Sequence, residues 1–342
     1  MNIKTEALII GAGPVGLFQA FELGLLGIEC CIVEACDTPG GQCTELYADK
    51  PIYDIPGIAY TTAADLIDQL QQQITPFNVN IHYQQTVENL QQSEQGFTAT
   101  TTTGSTFKAR QVFLATGAGA FTAVKLRADG INEFEGTQVH YTELADDQLK
   151  GKSVAVIGDS QAAVDCAIHS CKHTSNVIFL HRKRRLEASD HSLKELTALA
   201  ERKSIHQIKG KITGYQGHGK LEEITIQQGS EISTHPIDLL LVRQGNSPKQ
   251  SDLASWGIST SARQIPVDTS KYETNTNGVY AVGDINSYPA KRKLILCGFH
   301  EATLAAFAAA ATLRPEKPIH LQYTTTSTEL KQRLGVATTD QG

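Results

Sequence analysis

Short apolar runs alternate with helical patterns along both halves of the chain. The runs at residues 7–10 and 153–157 each lead into a glycine-containing turn, at residues 11–16 and 158–163, and each turn opens a helical pattern. A strand followed by a tight turn and a helix, repeated along the chain, is typical of parallel, doubly wound sheets. The pattern therefore predicts an α/β fold built around two such sheets.

Later apolar runs predict how the chain divides between the two sheets. Residues 112–114 and 238–243 each predict a buried strand that ends in a glycine turn. We expect the chain to cross between two domains after these strands, so that the second domain is inserted into the first. The predicted bounds are residues 1–119 with 244–342 for the first domain and residues 120–243 for the second.

The C-terminal part predicts one more strand and a long helix. A tight-turn signal at Asn277-Gly278 precedes a short apolar strand, and Gly283-Asp284 follows it. The Asp284 carboxylate would then lie beyond the carboxyl end of a strand, where ligands of open sheets bind. An alanine-rich helix is predicted at about 294–313, and the tail from Pro315 is expected to be extended at first.

Composition limits the classes of protein that the chain can be. Its 342 residues suit about two domains, and 40% hydrophobic with 19% charged residues is a globular composition. A net charge of −6 argues against nonspecific binding to nucleic acid, and we identified no apolar run near the ~20 residues that span a bilayer. Seven cysteines without any Cys-x-x-Cys pair predict reduced, cytoplasmic thiols and no metal site.

The first glycine turn has the features of a dinucleotide site. Gly11 permits the tight turn, Gly13 lets the backbone approach a pyrophosphate, and Gly16 lets the helix pack closely on the strand. Pro14 and Val15 complete the turn, where the helix N-terminus offers amide donors to phosphate groups. We therefore predict nucleotide binding here.

The two turns differ in the side chains that end the following strand. Glu34 lies 23 residues after Gly11, and a carboxylate at this point accepts a hydrogen bond from a ribose 2′-hydroxyl. His181 lies equally far from Gly158 and begins a basic run, residues 181–185, which suits a 2′-phosphate. The pair of turns therefore predicts one site for FAD and one for NADP(H).

The second turn departs from the ideal pattern. Ser160 and Ala163 stand at the second and third glycine positions; alanine is an accepted variant, whereas Ser160 adds bulk where the cofactor approaches. Two alternatives stay open: the second turn belongs to a structural βαβ unit whose nucleotide site has decayed, or the basic run is only a solvated surface. The NADP(H) contacts are expected from Gly158, Ser160, Gln161, Ala162, His181, Arg182 and Lys183.

Several further segments occur together with these turns. They are Gly40-Gly41-Gln42 with Glu45-Leu46-Tyr47 and Ile52-Tyr53-Asp54, Gly119-Ala120-Phe121, residues 274–284, and Gly298-Phe299-His300-Glu301-Ala302. In this combination the chain resembles, over nearly its whole length, the thioredoxin-reductase-like ferredoxin–NADP(+) reductases, which are homodimeric flavoproteins. The resemblance implies two Rossmann-like dinucleotide-binding domains with FAD in the first, NADPH in the second, and ferredoxin or flavodoxin as partner.

The resemblance also implies roles for single residues in FAD binding. Glu34 would bind the adenosine ribose, Gln42 the edge of the flavin ring, and Tyr47 would stack on the isoalloxazine, which makes it the catalytic candidate. Val87 and Phe121 would line the adenine side and the ring region. Asp284 would bind the ribityl-phosphate portion, and Thr325 would contact the flavin from the C-terminal tail.

Three departures separate this chain from related patterns. Thioredoxin reductase carries a dithiol where this chain has residues 139–147, which contain no cysteine, and disulfide exchange needs two thiols. Glu187 stands where the family has a further arginine, which leaves the choice between NADPH and NADH open. Thr324, next to Tyr323, stands where part of the family has an aromatic or histidine over the second flavin face, so the residue that covers this face stays open.

The first hypothesis is an FAD enzyme that takes hydride from NADPH and passes single electrons to ferredoxin or flavodoxin. The basic stretch Lys291, Arg292 and Lys293 would attract an acidic carrier, or it is a solvated loop. Two alternatives keep the flavin: an oxidase or dehydrogenase of a small molecule, and a flavin-binding protein with a decayed nicotinamide site.

Overall fold

The computed structural model describes residues 1–126, 130–142, 144–249, 252–316 and 323–336, with side chains at all of these except 121, 122, 132 and 246–249. Helices and strands alternate along much of the chain. The α-helices in these ranges are α1 (Pro14–Leu25), α2 (Gln42–Tyr47), α3 (Ala63–Ile74), α4 (Asp146–Leu149), α5 (Gln161–His173), α6 (Asp190–Glu201), α7 (Ile295–Leu313) and α8 (Thr328–Arg333).

The strands of the same ranges are, in chain order, β1 (Asn2–Ile10), β2 (Cys30–Val33), β3 (Pro51–Ile52), β4 (Thr61–Thr62), β5 (Asn80–His82), β6 (Val87–Ser93), β7 (Gly96–Thr101), β8 (Thr106–Leu114), β9 (Ala120–Ala123), β10 (Val139–His140), β11 (Ser153–Ile157), β12 (Asn176–His181), β13 (Ile205–Lys209), β14 (Lys211–Gln216), β15 (Glu223–Gln228), β16 (Glu231–Pro236), β17 (Leu239–Val242), β18 (Asn246–Lys249), β19 (Ile265–Pro266), β20 (Val279–Ala281) and β21 (Asn286–Ser287).

The chain forms two compact units. Unit 1 comprises Met1–Phe121 with Pro248–Gly342, and unit 2 comprises Thr122–Ser247. The two crossing points lie two and four residues C-terminal to the bounds that the sequence suggested.

The main sheet of unit 1 brings four strand ends to one edge. Strands β5, β2, β1 and β8 run parallel in this order, and β20 pairs in parallel with the C-terminal half of β8. The register aligns Ile10 with Val33 on one side and with Leu114 on the other, and it aligns Leu114 with Ala281. The residues that follow these four positions therefore meet at the carboxyl edge of the sheet.

Helix α7 covers one face of this sheet together with α1 and α3. It is long and apolar enough, by length and composition alone, to cross a membrane, which corrects the expectation that no apolar run approached that length. Ala302, Ala305, Ala306 and Ala309 are fully buried, and three of them belong to the core cluster shared with α1. Small side chains let the two helices approach closely. The burial of these alanines is typical of a helix packed in a protein core.

Unit 2 repeats the parallel arrangement. Its main sheet has the order β10, β17, β11, β12, β13, and all of these pairs are parallel. The register aligns Ile157 with Leu180 and with Val242, so Gly158, His181 and Arg243 lie at or just beyond one edge. The predicted α/β class with two Rossmann-like units is confirmed.

Three elements were not foreseen. The antiparallel strands β6 and β7 extend the first sheet from the N-terminal half of β8, and β14 to β16 form a separate antiparallel sheet in unit 2. Helix α8 lies later in the tail, beyond the part that was expected to be extended, and its N-cap Ser327 accepts a hydrogen bond from the Leu330 amide at 3.2 Å. Residues 317–322 lie outside the described part of the chain.

Candidate functional site

A deep cleft opens at the carboxyl edge of the unit 1 sheet. The turns after β1, β2, β8 and β20 form its walls, and the segment before β6 and the start of α7 close its sides. Nine of the residues predicted for FAD line it: Gly11, Gly13, Pro14, Val15, Glu34, Gln42, Tyr47, Val87 and Asp284.

The first turn has space where a cofactor backbone would approach. A Cβ on Gly13 would meet only the Gly40 carbonyl oxygen, at 4.0 Å, whereas one on Gly16 would lie 2.0 Å from the Gly11 carbonyl oxygen. Gly13 is the N-cap of α1; among the described residues no side chain caps this helix end, and its first turn has no acidic residue. The free amide donors and the open space fit a pyrophosphate.

Glu34 is buried at the end of β2 with its carboxylate fixed. Its Oε2 accepts a hydrogen bond from the Ala12 amide at 2.6 Å, and its Oε1 accepts one from the Cys36 amide at 2.9 Å. Each carboxylate oxygen has more than one lone pair, so the group can still accept hydrogen bonds from ribose hydroxyls. This geometry suits the role that the sequence suggested for Glu34.

Two predicted flavin contacts, far apart in sequence, touch each other. The Gln42 Nε2 donates a hydrogen bond to Asp284 Oδ2 at 3.3 Å, although 242 residues separate them. Tyr47 is half-buried in the same wall, with its hydroxyl 3.5 Å from the Cys43 sulfur. Burial raises the pKa of both groups, so both stay protonated near neutral pH and the thiol is a poor nucleophile.

A buried ion pair holds the turn that carries Asp284. Glu301, on α7, is fully buried and accepts hydrogen bonds at Oε2 from the Gly283 amide and Asn286 Nδ2, both at 2.7 Å. Its Oε1 accepts from Tyr288 and from Lys291, and Lys291 Nζ also donates to the Gly283 carbonyl at 2.9 Å. These bonds fix the 283–286 turn against the helix.

The same contacts change the interpretation of the basic stretch that follows. The Lys291 side chain is 8% exposed and its charge is paired with Glu301, so it is not part of an exposed patch. Arg292 and Lys293 are exposed, and Lys293 borders the cleft. The stretch therefore presents two accessible cations rather than three.

Two of the remaining residues of the FAD prediction, Gly16 and Thr325, do not line the cleft. Gly16 lies beneath it, where it lets α1 pack on the turn. The Phe121 side chain lies outside the described residues. Thr325 is exposed and does not line the cleft. Helix α8 follows Thr325, and Arg333 of this helix donates a hydrogen bond to the Leu25 carbonyl. Leu25 is at the end of α1 that lies away from the cleft.

Several lining residues were missed. Some of them lie directly after a predicted strand or at the start of a predicted helix, so the sequence could have indicated them: Thr116 to Ala118, Gly283 and Ile295. Cys43 falls inside a recognised segment. The sequence gives no periodic signal for Gln85, Thr86 and Leu253, because they come from connecting segments that only the tertiary fold brings to the cleft.

The turn of unit 2 repeats the backbone packing of the first. A Cβ on Gly158 would lie 2.1 Å from the Arg243 carbonyl oxygen and 2.6 Å from the Ala163 side chain. Ser160 is the N-cap of α5; within the described residues no side chain caps this end, and the first turn of α5 has no acidic residue. An anion can therefore approach the α5 amides, with the Ser160 hydroxyl beside them.

Two residues predicted for NADP(H) are engaged in structural contacts. His181 is buried; its ring stacks near Phe179, its Nδ1 lies 2.9 Å from the Lys183 carbonyl and its Nε2 lies 3.0 Å from the Gln207 amide nitrogen. The Gln161 side chain bonds to Ser189 and to other side chains of α5 and α6. Ala162 is exposed at the start of α5.

The basic run after His181 is exposed and held by two carboxylates. Asp159 Oδ1 accepts hydrogen bonds from the Arg182 and Lys183 amides at 2.7 and 2.8 Å. The Lys183 ammonium donates to Glu187 Oε1 at 2.6 Å, and this hydrogen bond raises the pKa of Lys183. The Arg182, Arg184 and Arg185 side chains remain at the surface beside the turn.

Comparison with known proteins gives consistent results. Residues 5–309 match the family model described as pyridine nucleotide-disulphide oxidoreductase. The chain is 45% identical to a protein named ferredoxin–NADP reductase from Paracidovorax citrulli, over 98% of this chain and 97% of that protein. It is 43% identical to one of the same name from Methylibium petroleiphilum, over 98% and 94%.

Solved structures share the fold at lower identity. Thioredoxin reductase from T. acidophilum superposes with a TM-score of 0.55 at 22% identity, covering 91% of this chain and 99% of that one. Bacillithiol disulfide reductase from Staphylococcus aureus gives a TM-score of 0.59 at 20% identity, covering 92% and 100%.

Proposed function

The chain belongs to the pyridine nucleotide-disulphide oxidoreductase family, and on that premise we propose that it is an FAD-dependent ferredoxin–NADP(+) reductase. The proposed reaction takes hydride from NADPH and delivers single electrons to ferredoxin or flavodoxin. The family supplies the reaction class, and the named relatives, which match nearly the whole chain, supply the acceptor.

The cleft of unit 1 is the observation that carries the proposal. Four aligned strand ends bring together an open glycine at a helix N-terminus, a buried carboxylate and the Gln42–Asp284 pair. When bound, FAD supplies hydride acceptance at N5 followed by one-electron release. In this proposal the turn around Gly13 holds the pyrophosphate and Glu34 holds the adenosine ribose.

The residues near the Asp284 turn would orient the flavin end of the cofactor. Gln42 and Asp284 would bind its polar edge and ribityl chain, and Tyr47 would stack on the ring. The first amides of α7, at Ile295, border the cleft and place the positive end of a helix dipole there. That end would stabilise negative charge that develops in the reduced cofactor.

Unit 2 would hold NADPH at the N-terminus of α5. The α5 amides would bind the pyrophosphate, and Arg182 with Lys183 would bind the 2′-phosphate through charge-assisted hydrogen bonds. Gly158, Ser160, Gln161 and Ala162 form the turn that shapes this approach. His181 supports the basic loop from within, through its bonds to Lys183 and Gln207.

We also propose that the protein is a cytoplasmic homodimer. The seven cysteines are free thiols in the structure, in keeping with a reducing compartment. The proposal of a dimer rests on the resemblance. Because Thr325 does not line the cleft in a single chain, it would contact flavin only in a different arrangement, such as that of a dimer. Sedimentation equilibrium of the holoprotein would test it, with a monomer mass as the contradicting result.

Rapid mixing of the holoprotein with NADPH or NADH tests the reaction. We expect bleaching of the flavin absorbance near 450 nm, and cytochrome c reduction that becomes rapid only when ferredoxin is added. A colourless protein that takes up no FAD would contradict the proposal, and so would oxidised flavin that neither nucleotide reduces. Ferredoxin-independent turnover would favour an oxidase or dehydrogenase.

The nicotinamide site is tested by Arg182→Ala. Loss of a guanidinium that faces the 2′-phosphate should lower kcat/KM for NADPH by about tenfold to a hundredfold, because a charge-assisted bond contributes about 1.5–3 kcal/mol. The value for NADH, which lacks this phosphate, should change by less than about twofold. Equal losses with both nucleotides would contradict the assignment of Arg182.

A further inference from the structure

Three side chains that commonly bind metals converge in unit 2, away from the α5 N-terminus. Asp146 is the first residue of α4, and His169 and His173 stand four apart on α5. Asp146 Oδ1 lies 3.1 Å from His169 Nε2 and 3.5 Å from His173 Nε2. One ligand atom from each residue lies within 4.8 Å of the other two.

The two distances from Asp146 to the histidine nitrogens match the edges of a small coordination polyhedron. Nitrogen and oxygen ligands lie at 2.0–2.2 Å from Zn²⁺, so neighbouring donors of a tetrahedral site are ~3.4 Å apart. Spacing by four residues puts both imidazoles on one helix face, where they present the same ring nitrogen to Asp146. We propose that Asp146, His169 and His173 bind a divalent transition-metal ion such as Zn²⁺, with water completing the coordination.

The position of the cluster favours a cation. His173 lies in the last turn of α5, where the helix dipole is negative, and His169 lies one turn before it. The donor set selects the class of ion, because imidazole nitrogens suit Zn²⁺, Cu²⁺ or Ni²⁺, whereas Mg²⁺ and Ca²⁺ take oxygen ligands. The bound ion would link α4, which precedes β11, to the C-terminal end of α5.

This site differs from the expectation that the chain has no metal ligands. That expectation rested on the spacing of cysteines, whereas the three ligands here include none. The signal available in the sequence was His-x₃-His in a predicted helix, and Asp146, which lies 23 residues before His169, could be added only from the fold.

The test is metal titration of the untagged holoprotein, with Zn²⁺ followed by calorimetry and Co²⁺ followed by visible absorbance. We expect one equivalent of either ion, a four-coordinate Co²⁺ spectrum without thiolate charge transfer, and a thermal midpoint raised by a few degrees in Zn²⁺. His169→Ala/His173→Ala should lower the affinity more than about tenfold. Mg²⁺ should not compete.

The matched control is His218→Ala, which removes an exposed histidine of the same unit outside the cluster. It should bind metal like the original protein. Asp146→Asn, an exposed and nearly isosteric change, provides a second variant should the double variant fold poorly, as judged by circular dichroism. The proposal is overturned if millimolar Zn²⁺ does not bind, which would leave only hydrogen bonds between the three side chains. It is equally overturned if both cluster variants bind as the original does.

Discussion

Gly13 and Gly16 lie one helical turn apart, yet their surroundings are opposite. A Cβ at Gly16 would meet backbone at 2.0 Å, whereas one at Gly13 would extend into the open cleft. We expect Gly16→Ala to destabilise the apoprotein by about 1–3 kcal/mol, because the turn would have to shift. Gly13→Ala should change apoprotein stability by less than about 1 kcal/mol. It should nevertheless weaken FAD binding at least about tenfold, because its methyl group occupies cofactor space.

Urea unfolding of the two apoproteins and fluorescence titration with FAD measure these effects separately. Normal FAD affinity in Gly13→Ala would show that the pyrophosphate does not pass over this turn.

A second residue-scale prediction concerns the choice of nucleotide. Glu187 accepts a hydrogen bond from Lys183, so part of the positive charge of the basic run is already neutralised. Glu187→Gln removes the carboxylate and should raise kcat/KM for NADPH by about two- to fivefold, as expected for an exposed pair. The NADH value should stay constant. Steady-state assays at low and high salt would show the gain shrinking with salt, and an equal gain for both nucleotides would contradict a 2′-phosphate role for Lys183.

At the scale of elements, the packing of α1 on α7 buries a carboxyl group. Glu22, on α1, is 9% exposed and accepts a hydrogen bond from Thr303 of α7 at 3.2 Å. Burial raises the pKa of this carboxyl group, and the Thr303 bond only partly offsets the effect. The folded protein therefore holds the proton more tightly than the unfolded chain does, so this group favours folding at low pH and opposes it as pH rises through its folded pKa.

Glu22→Gln should consequently stabilise the protein at pH 8 by on the order of 1 kcal/mol, because a neutral amide avoids the cost of a buried charge. Near pH 4, where the carboxyl group is protonated in the folded protein, the two proteins should have similar stability. Urea midpoints at both pH values measure this, and Glu45→Gln, in a half-buried position on α2, provides a comparison. A variant less stable than the original at pH 8 would mean that the Thr303 bond outweighs burial.

Strand β8 illustrates how far the sequence determines the fold. Its apolar C-terminal half predicted a buried strand, and the glycine turns after β1 and β11 predicted where ligands bind. Its N-terminal half alternates, with Phe107 and Ala109 buried between exposed Lys108 and Arg110, and it pairs with β7. Short half-exposed strands carry a weak periodic signal, which is why β6, β7 and the β14–β16 sheet were missed.

Ion pairs between side chains that are distant in the sequence could not be predicted either. Lys291 follows Gly283-Asp284 in a run of three cations, and such a run is usually solvated surface. Only the tertiary fold brings Glu301, one α7 turn beyond Cys297, against it. Most of the cleft was predictable because the turns that line it follow strands, whereas this ion pair depends on where α7 lies on the sheet.

Across the whole molecule, net charge and local charge predict different behaviour toward an acidic electron carrier. A net charge of −6 repels such a carrier at long range, whereas exposed Arg292, three residues before the start of α7, attracts it locally. At an ionic strength of 0.15 M the screening length is about 8 Å, so the local charge should decide the encounter near physiological salt. Below about 0.01 M the net charge should matter as well.

Arg292→Glu tests which of the two controls ferredoxin reduction. Together with Lys4→Glu, an exposed charge reversal in the N-terminal half of β1, away from the carboxyl edge of the same sheet, it gives two variants that both have a formal net charge of −8. In 0.1 M salt, Arg292→Glu should lower kcat/KM for ferredoxin by about two- to tenfold and Lys4→Glu by less than about twofold, because steering falls off with distance from the docking surface. Flavin reduction by NADPH gives the reference rate for each variant. Equal losses would assign the effect to net charge, and an unchanged Arg292→Glu variant would mean that the segment after the Asp284 turn is ordinary solvated surface, with ferredoxin docking elsewhere.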